Sequence, residues 1–421
     1  MKNDEKKLWT DDEKKFEEEF RYLIRGTENI VQGEELRYKL KAAKEKGRPL
    51  IVKEGVDPTA PEIHLGHAVT LRKLRHFQDL GHNVKFLIGD FTARIGDPTD
   101  RASGRKVLTE EEVLQNAETY KEQIFKILNP ERTEIVYNSS WLKPKTIEDF
   151  VEMLYRGTVN DMIKRKSIAE RLERGDPVTV TEFIYPFLQA YDSIVLEADI
   201  EVGGTDQYFN FMFTRDLQRS YGQEPEVAIT MPLLVGTDGK EKMSKSLGNH
   251  IGINENPDDM YGKIMSVQDS ILGIWYELLT NVPMDEIARI EIALKNGSLN
   301  PKEAKAGLAK EIVTQYHGLE AALEAEKEFE RVFRYKETPK DIPEIRLDYG
   351  RIKDGQIGIV DLVEMTGHYN SRNEIKDRIM AGAVKIDDKK ITDVFANIKV
   401  KDGQIIKVGK RTFARLKYES G

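Results

Sequence analysis

Between residues 49 and 255 short apolar runs alternate with stretches of helical periodicity, and that alternation leaves few architectures open. The runs are "LIV" (50–52), "VKFLIG" (84–89), "TEIVYN" (133–138), "ADIEV" (198–202) and "VAITMPLL" (227–234). The clearest helical stretch follows Thr109, where "TEEE" makes a capping box and Val113, Ala117, Tyr120, Ile124 and Leu128 recur at helical spacing. Strand–helix alternation on this scale predicts an α/β, doubly wound parallel sheet, with ligand sites at the carboxyl ends of the strands.

The flanking regions read differently. Residues 1–48 are charged and helical in pattern, residues 256–334 predict a helical domain, and "YKETPKDIPEIRLDYGRIKDG" lies in a linker over 335–356. Residues 357–421 predict a small α/β unit. The chain lacks cysteine, which excludes disulfides, thiolate zinc sites and cysteine nucleophiles and fits a reducing compartment. The charged opening "MKNDEKKLWTDDEKKFEEEF" is unlike a signal peptide, and no apolar run reaches membrane-span length, so a cytoplasmic protein is expected. The net charge is −8, but residues 357–421 hold 13 Lys+Arg against 9 Asp+Glu. A basic tail on an acidic body suits an anionic partner, nucleic acid first among them.

The segment "KEGVDPTAPEIHLGH" joins the first run to a helix whose inward face is Ala68, Leu71, Leu74, Phe77 and Leu80. Gly55 and Gly66 allow close backbone approach. His64 and His67 fall on the first helical turn, where free N–H groups and the helix dipole attract anions, and Thr59 and the two imidazoles add donors pointing the same way. This is an arrangement for a polyphosphate. A metal is the poorer reading, because the local sequence offers only Asp57 as a third ligand. A second anion-binding stretch, "GTDGKEKMSKSLGN" (236–249), sets Lys240, Lys242 and Lys245 among serines and glycines after a turn at Asp238–Gly239. Lysines on such a loop can swing onto a charged group and release it.

"HLGH" and "KMSKS" resemble the two signature motifs of the class I aminoacyl-tRNA synthetases, which carry them on a Rossmann-like sheet. "GVDPTAP", "GDFTARIGDPT", "EFIYPFLQAYDS" and "GGTDQYFN" extend the resemblance over nearly the whole chain, most of all to the bacterial tyrosyl family. The resemblance implies activation of L-tyrosine by ATP and its transfer to tRNA(Tyr). It assigns phosphate stabilisation to Thr59, His64, His67, Lys242 and Lys245, and ATP contacts to Gly55, Asp57, Gly66, Gly204, Asp206, Met243 and Ser244 as well. Mg2+ is expected to travel with ATP, with no metal site built by the protein, and a homodimer is expected.

Tyr185, Gln189 and Asp192 are spaced to line one helix face. The resemblance makes Asp192 the acceptor for the tyrosine hydroxyl, and Tyr185, Gln189, Asp97, Asn138 and Gln207 the partners of the rest of the amino acid. Such a buried polar site rejects the analogue lacking the hydroxyl far better than an apolar one, a rule for which this family is itself the type example. Arg101 and Arg105 could meet phosphate or the tRNA acceptor end, or be surface charges. The chain has Lys53 where many tyrosyl enzymes have a tyrosine, and Glu54 at a position usually small or apolar; a carboxylate there could approach the ribose or turn to solvent.

The tail resembles a small RNA-binding module named after a small-subunit ribosomal protein. Ser371 and Glu374 predict a capping box, Ile375 and Ile379 an inward face, and "AVKIDDKKIT" a hairpin. Arg372, Lys376, Lys385 and Lys389 are the expected RNA-backbone contacts. Two rival readings are a tryptophanyl enzyme and an RNA-binding paralogue without catalysis.

Overall fold

Each of the five apolar runs becomes a parallel strand, because a strand covered on both faces needs a nearly continuous apolar sequence. The computed structural model describes residues 10–97, 108–333, 342–347, 352, 355–367, 369, 371–409 and 412–417; Arg101 and Arg105 lie outside them. The chain divides into two units, residues 1–326 and 327–421.

The first unit opens with α1 (Asp11–Ile24), β1 (Asn29–Ile30) and α2 (Gly33–Lys46). The parallel core follows as β2 (Ile51–Val56), α3 (Leu65–Asp79), β3 (Asn83–Ile88), α4 (Glu110–Ile124) and β4 (Thr133–Tyr137). An insertion carries α5 (Ser139–Leu142), α6 (Ile147–Leu154), α7 (Val159–Ile163) and α8 (Lys166–Arg174). Then come α9 (Val180–Leu196), β5 (Ile200–Gly204), α10 (Tyr208–Ser220) and β6 (Val227–Met231). The remaining helices are α11 (Pro257–Ile264), α12 (Leu272–Leu279), α13 (Met284–Lys295), α14 (Pro301–His317) and α15 (Leu319–Phe333).

The sheet order is β1-β6-β5-β2-β3-β4, so the direction of winding reverses between β2 and β5. A crevice at that switch point is where such sheets bind ligands. The N-terminal segment, expected to be helical, also supplies β1, an antiparallel edge strand; Glu28 N and Val31 N donate to Thr230 O and Ala228 O at 2.8 and 2.9 Å. Two residues are too few to show a period of two, which is why sequence periodicity passed over them.

The capping box at Thr109 forms, with Thr109 N donating to Glu112 Oε2 at 2.8 Å, and Val113, Ala117, Tyr120 and Ile124 are buried. The carbonyls at the end of α12 would be left without intrahelical partners. Arg25 donates to Tyr276 O, Glu277 O and Thr280 O, and Arg72 of α3 donates to Leu278 O at 3.1 Å. The helix that starts at the two histidines is thereby tied to the helical layer.

The second unit contains β7 (Glu344–Arg346), β8 (Gln356–Gly358), α16 (Ile359–Glu364), α17 (Arg372–Met380), β9 (Val384–Ile386), β10 (Lys389–Ile391), β11 (Asn397–Lys399), β12 (Ile405–Val408) and β13 (Thr412–Lys417). Three expectations need correction. The stretch over 335–356 is more than a linker, since β7 pairs with β13 and Gln356 begins β8; these strands are too short to stand out against the charged residues around them. Ser371 is the N-cap of α17 but its side chain makes no capping hydrogen bond. Arg372 is turned back onto α16, where it pairs with Asp361 and with Glu364 at 3.3 Å. Ile375 and Ile379 are fully buried as expected, and the hairpin turns at Asp387 and Asp388, with φ of 46° and 63°. Positive φ at both central residues is the twist a tight hairpin requires.

Candidate active site

The two histidines close the N-terminus of α3 in a way the sequence did not reveal. His64 is the N-cap, and its Nδ1 accepts from Gly66 N at 3.1 Å; His67 Nδ1 accepts from His64 N at 3.3 Å. Leu65 N donates to Ile251 O and His67 N to His64 O, both at 2.9 Å. The first-turn amides expected to be free are therefore occupied, because the chain after the lysine loop returns beside α3. The imidazoles take over the donor role. An Nδ1 that accepts a backbone hydrogen bond places the proton of a neutral ring on Nε2.

Both rings are neutral at pH 7. Burial, then His67, His250 and Lys245, lower His64 to about 2, and burial and Lys245 lower His67 to about 4. Values below that of the unfolded chain favour the fold above pH ~6.5, and this contribution is lost as pH falls through ~4. The rings stack at 3.8 Å. Gly66 has to be glycine, since a Cβ would lie 2.9 Å from His64 Cε1.

The lysine loop rests on this helix end. Asp238 accepts from Lys240 N and Glu241 N at 2.9 and 3.1 Å, which makes the expected turn, and Gly239 has φ of +70°. Buried Asn249 holds the loop together: Oδ1 accepts from Ser244 N at 2.8 Å and Nδ2 donates to Asp238 and Lys242 O. Met243 is buried, its Cβ facing Gly66, and Lys242 is exposed. Lys245 pairs with Glu62 at 3.0 Å, two residues before His64. Nothing in the sequence singled out Asn249 or Glu62. Their partners lie within a folded loop or far along the chain.

Beyond β2 and β5 lies a polar pocket. Buried Asp192 accepts from Trp141 Nε1 at 2.8 Å and Asn138 Nδ2 at 3.2 Å. Burial raises its carboxyl to about 7, against Lys53 and those two hydrogen bonds. Tyr185 donates to Asp57 Oδ2 at 3.0 Å, and Thr92 to Asp57 Oδ1 at 2.7 Å. Burial raises Asp57 to about 7 as well. Gln207 Nε2 donates to Asp97 at 2.8 Å, and Asn210 Nδ2 to both Gln189 Oε1 and Gln207 Oε1 at 2.8 Å. Asp97, Gln189 and Gln207 thus share one network, which buried Arg165 enters through Asp97 at 3.4 Å. Gly204 lets the Asp206 carboxylate come close, since a Cβ would meet its Oδ1 at 2.4 Å. Gly55 is exposed at the end of β2, and Thr59 follows it with its N–H donating to Asp57 O. Trp141, Thr92, Asn210 and Arg165 went unnoticed in the sequence because the contacts that bring them to the site run mostly to residues far along the chain.

Glu54 does not turn to solvent. It is 6% exposed with Oε2 lacking a hydrogen-bond partner, and burial raises it to about 8, so it is uncharged at neutral pH. Among the described residues no group of three or more His, Cys, Asp or Glu could hold a metal ion, and no helix is long and apolar enough to cross a membrane.

The four expected RNA contacts do not form one surface. Besides the internal pairing of Arg372, Lys385 sits in a row across the sheet with Lys390 and Lys407, while Lys389 stands opposite buried Ile386. Lys376 is exposed on α17.

Residues 44–334 match the family model for tRNA synthetases class I (W and Y). The tyrosine–tRNA ligase of Moorella thermoacetica is 50% identical over 97% of this chain and 98% of its own. That of Carboxydothermus hydrogenoformans is 51% identical over 94% and 97%. Among solved structures, the tyrosyl-tRNA synthetase of Archaeoglobus fulgidus complexed with L-tyrosine is similar with a TM-score of 0.60 and 25% identity, covering 74% of this chain and 99% of that one.

Proposed function

Given that this chain belongs to the class I tRNA synthetases of the W and Y family, we propose that it is a tyrosine–tRNA ligase whose chemistry is divided between the α3 terminus and the β2–β5 crevice. A tyrosine carboxylate oxygen attacks the α-phosphorus of ATP, the bond to the bridging oxygen breaks, and pyrophosphate leaves with tyrosyl-adenylate formed. The terminal ribose hydroxyl of tRNA(Tyr) then attacks the acyl carbon and AMP departs. No protein nucleophile takes part; positioning and stabilisation of charge on phosphate oxygens do the work. Mg2+ enters as part of the MgATP substrate.

His64 and His67 donate to the phosphates through Nε2–H, with Thr59 beside them, while Lys242 and Lys245 close from the loop that carries Met243 and Ser244. Gly55, Gly66 and Gly204 leave room for the nucleotide, and Asp206 takes the ribose. Asp192 accepts the tyrosine hydroxyl; Tyr185, Gln189, Asp97, Asn138 and Gln207 frame the rest, and Asp57 holds Tyr185. The observation that carries the reading is Asp192, buried and held by Trp141 and Asn138 at the end of the crevice. The test is exchange of labelled pyrophosphate into ATP without tRNA: tyrosine supports it with a kcat/KM orders of magnitude above those of phenylalanine and tryptophan. No exchange with tyrosine would overturn the proposal.

The Lys245–Glu62 pair holds the loop lysine away from phosphate until ATP arrives. Glu62→Gln is expected to lower KM for ATP by about 2–5-fold, the size of an exposed ion pair, with KM for tyrosine unchanged. An unchanged or higher KM for ATP in exchange assays would show that the pair does not compete with nucleotide.

The protein is cytoplasmic and acts as a homodimer in this reading. Ile147, Val151 and Tyr155 follow one another at four-residue spacing on α6 and its C-cap, 80, 56 and 90% exposed, and covering such apolar faces drives association. The double substitution Val151→Asp, Tyr155→Asp should shift the protein from dimer to monomer in sedimentation at micromolar concentration. A wild type that sediments as monomer would reject the dimer. The helical layer over 256–334 meets the anticodon region, and Lys385, Lys390 and Lys407, which lie in one row across the sheet of the 357–421 module, meet tRNA backbone.

A further inference from the structure

Behind the pocket lies a set of buried charges that the scheme above does not use. Lys53, in the middle of β2, is fully buried. Its ammonium donates to Glu201 Oε1 of β5 and Ser193 Oγ of α9, both at 2.8 Å, and approaches Gln189 O at 3.4 Å. Ser193 Oγ lies 3.3 Å from Glu201 Oε2. Glu226, just before β6, is buried beside them; burial and then the Glu201 carboxylate push it well above its ordinary range, so it stays neutral. Burial works to lower the Lys53 ammonium, yet the carboxylates around it, Glu201 foremost, hold it above its usual value.

An ammonium sealed from water costs several kcal/mol unless it is paired and fully hydrogen-bonded. Here two of its three contacts are on the turn of α9 that presents Gln189 and Asp192. The charged and titratable groups acting on Asp192 are Lys53 from β2, Glu201 from β5, and Asp57 and Tyr185 in the same pocket, while Asn138 and Trp141 hydrogen-bond it from α5. Lys53 is the cation among them, and it acts more strongly than Glu201 opposes.

We propose that Lys53 is a positioning and specificity-determining residue for the amino-acid substrate: from behind the pocket it anchors the Gln189–Ser193 turn of α9 and supplies the positive charge that keeps Asp192 an anionic acceptor for the phenol hydroxyl. This inference rests on the reading of the chain as a tyrosine-activating enzyme. Lys53 does not touch tyrosine in this arrangement. Its loss leaves Asp192 protonated to higher pH, where a neutral acid no longer distinguishes a hydroxyl donor so sharply.

The experiment uses the full chain and follows tyrosine- and phenylalanine-dependent pyrophosphate exchange from pH 6 to 9. Wild-type exchange with tyrosine establishes the underlying reading, and its absence would remove that reading whatever Lys53 does. In Lys53→Met, the acid limb of kcat/KM for tyrosine moves about one pH unit to the alkaline side, which is a loss of about fivefold at pH 7 that approaches about tenfold at pH 6. The preference for tyrosine over phenylalanine falls with it, and activity recovers at pH 9 while KM for ATP is unchanged. Because the single variant strands Glu201, the charge-balanced Lys53→Met, Glu201→Gln variant is measured too. It should move the limb in the same direction by less, since Glu201 opposes Lys53 only weakly. A folded variant with its acid limb and its tyrosine preference at wild-type values would overturn the proposal, and so would a uniform drop in kcat at every pH.

Discussion

His67→Ala is expected to lower kcat for tyrosine-dependent pyrophosphate exchange by about 10²–10³, the effect of removing one preorganised donor from a developing charge. The reason lies in the hydrogen bond from His64 N to His67 Nδ1, which fixes the ring orientation and leaves Nε2–H as a donor. With His67 lowered to about 4, the ring is uncharged from mildly acidic pH upward, so the loss should be the same at pH 6 and pH 8. His67 is the better test than His64, whose ring also caps α3 and whose removal would cost about 1 kcal/mol of stability. KM for tyrosine should not change, because the proposed partners of the amino acid lie on α9, at the β5 end and at Asp97 and Asn138, none of them on α3. A kcat within about threefold of wild type, in a protein with an unaltered melting temperature, would remove the imidazoles from the phosphate site.

Asp192→Asn is expected to reduce kcat/KM for tyrosine by about 10²-fold, corresponding to the ~3 kcal/mol of a hydrogen bond to a buried charge. The carboxylate now receives Trp141 Nε1 and Asn138 Nδ2 on separate oxygens. An amide has one acceptor oxygen, so one of those donors faces an NH2 group and the phenol loses its charged acceptor. Exchange with phenylalanine should stay at its wild-type level, and parallel assays with the two amino acids read the difference. The wild-type pH profile carries the same information. Because burial raises Asp192 to about 7, kcat/KM for tyrosine should fall as pH drops through neutrality, and that limb should vanish in Asp192→Asn. An equal loss with both amino acids would mean that Asp192 supports the helix and not the hydroxyl.

Particular residues show how far the chain could be read without its structure. His64, His67 and the lysine loop were recognisable because helix starts, glycine turns and clustered charge are local features. Their chemistry was only half visible. Backbone amides were expected to join the imidazoles as donors, and the structure assigns those amides to Ile251 O, His64 O and the His64 ring. Asp192 and Gln189 were placed on one helix face by spacing alone, but Trp141, 51 residues from Asp192, had no signal of its own. Lys53 and Glu54 are the sharpest case. From the sequence Lys53 reads as a difference in the tyrosine pocket and Glu54 as turned to ribose or to solvent; in the fold both are sealed, one by Glu201 at a separation of 148 residues and the other by becoming neutral.

The sequence by itself determined the five parallel strands, the helix that starts at the histidines, the loop of lysines and the polar face of α9, because these depend on period, capping and turn chemistry within about twenty residues. Only the tertiary structure decided the antiparallel edge strand, the pairing of β7 and β8 in the tail, the closing of the loop through Asn249 and Glu62, and which charges sit behind the pocket. Those depend on what stands opposite. A buried charge or an unpaired edge is acceptable only with a specific partner, and distance along the chain carries no record of which partner the fold will bring.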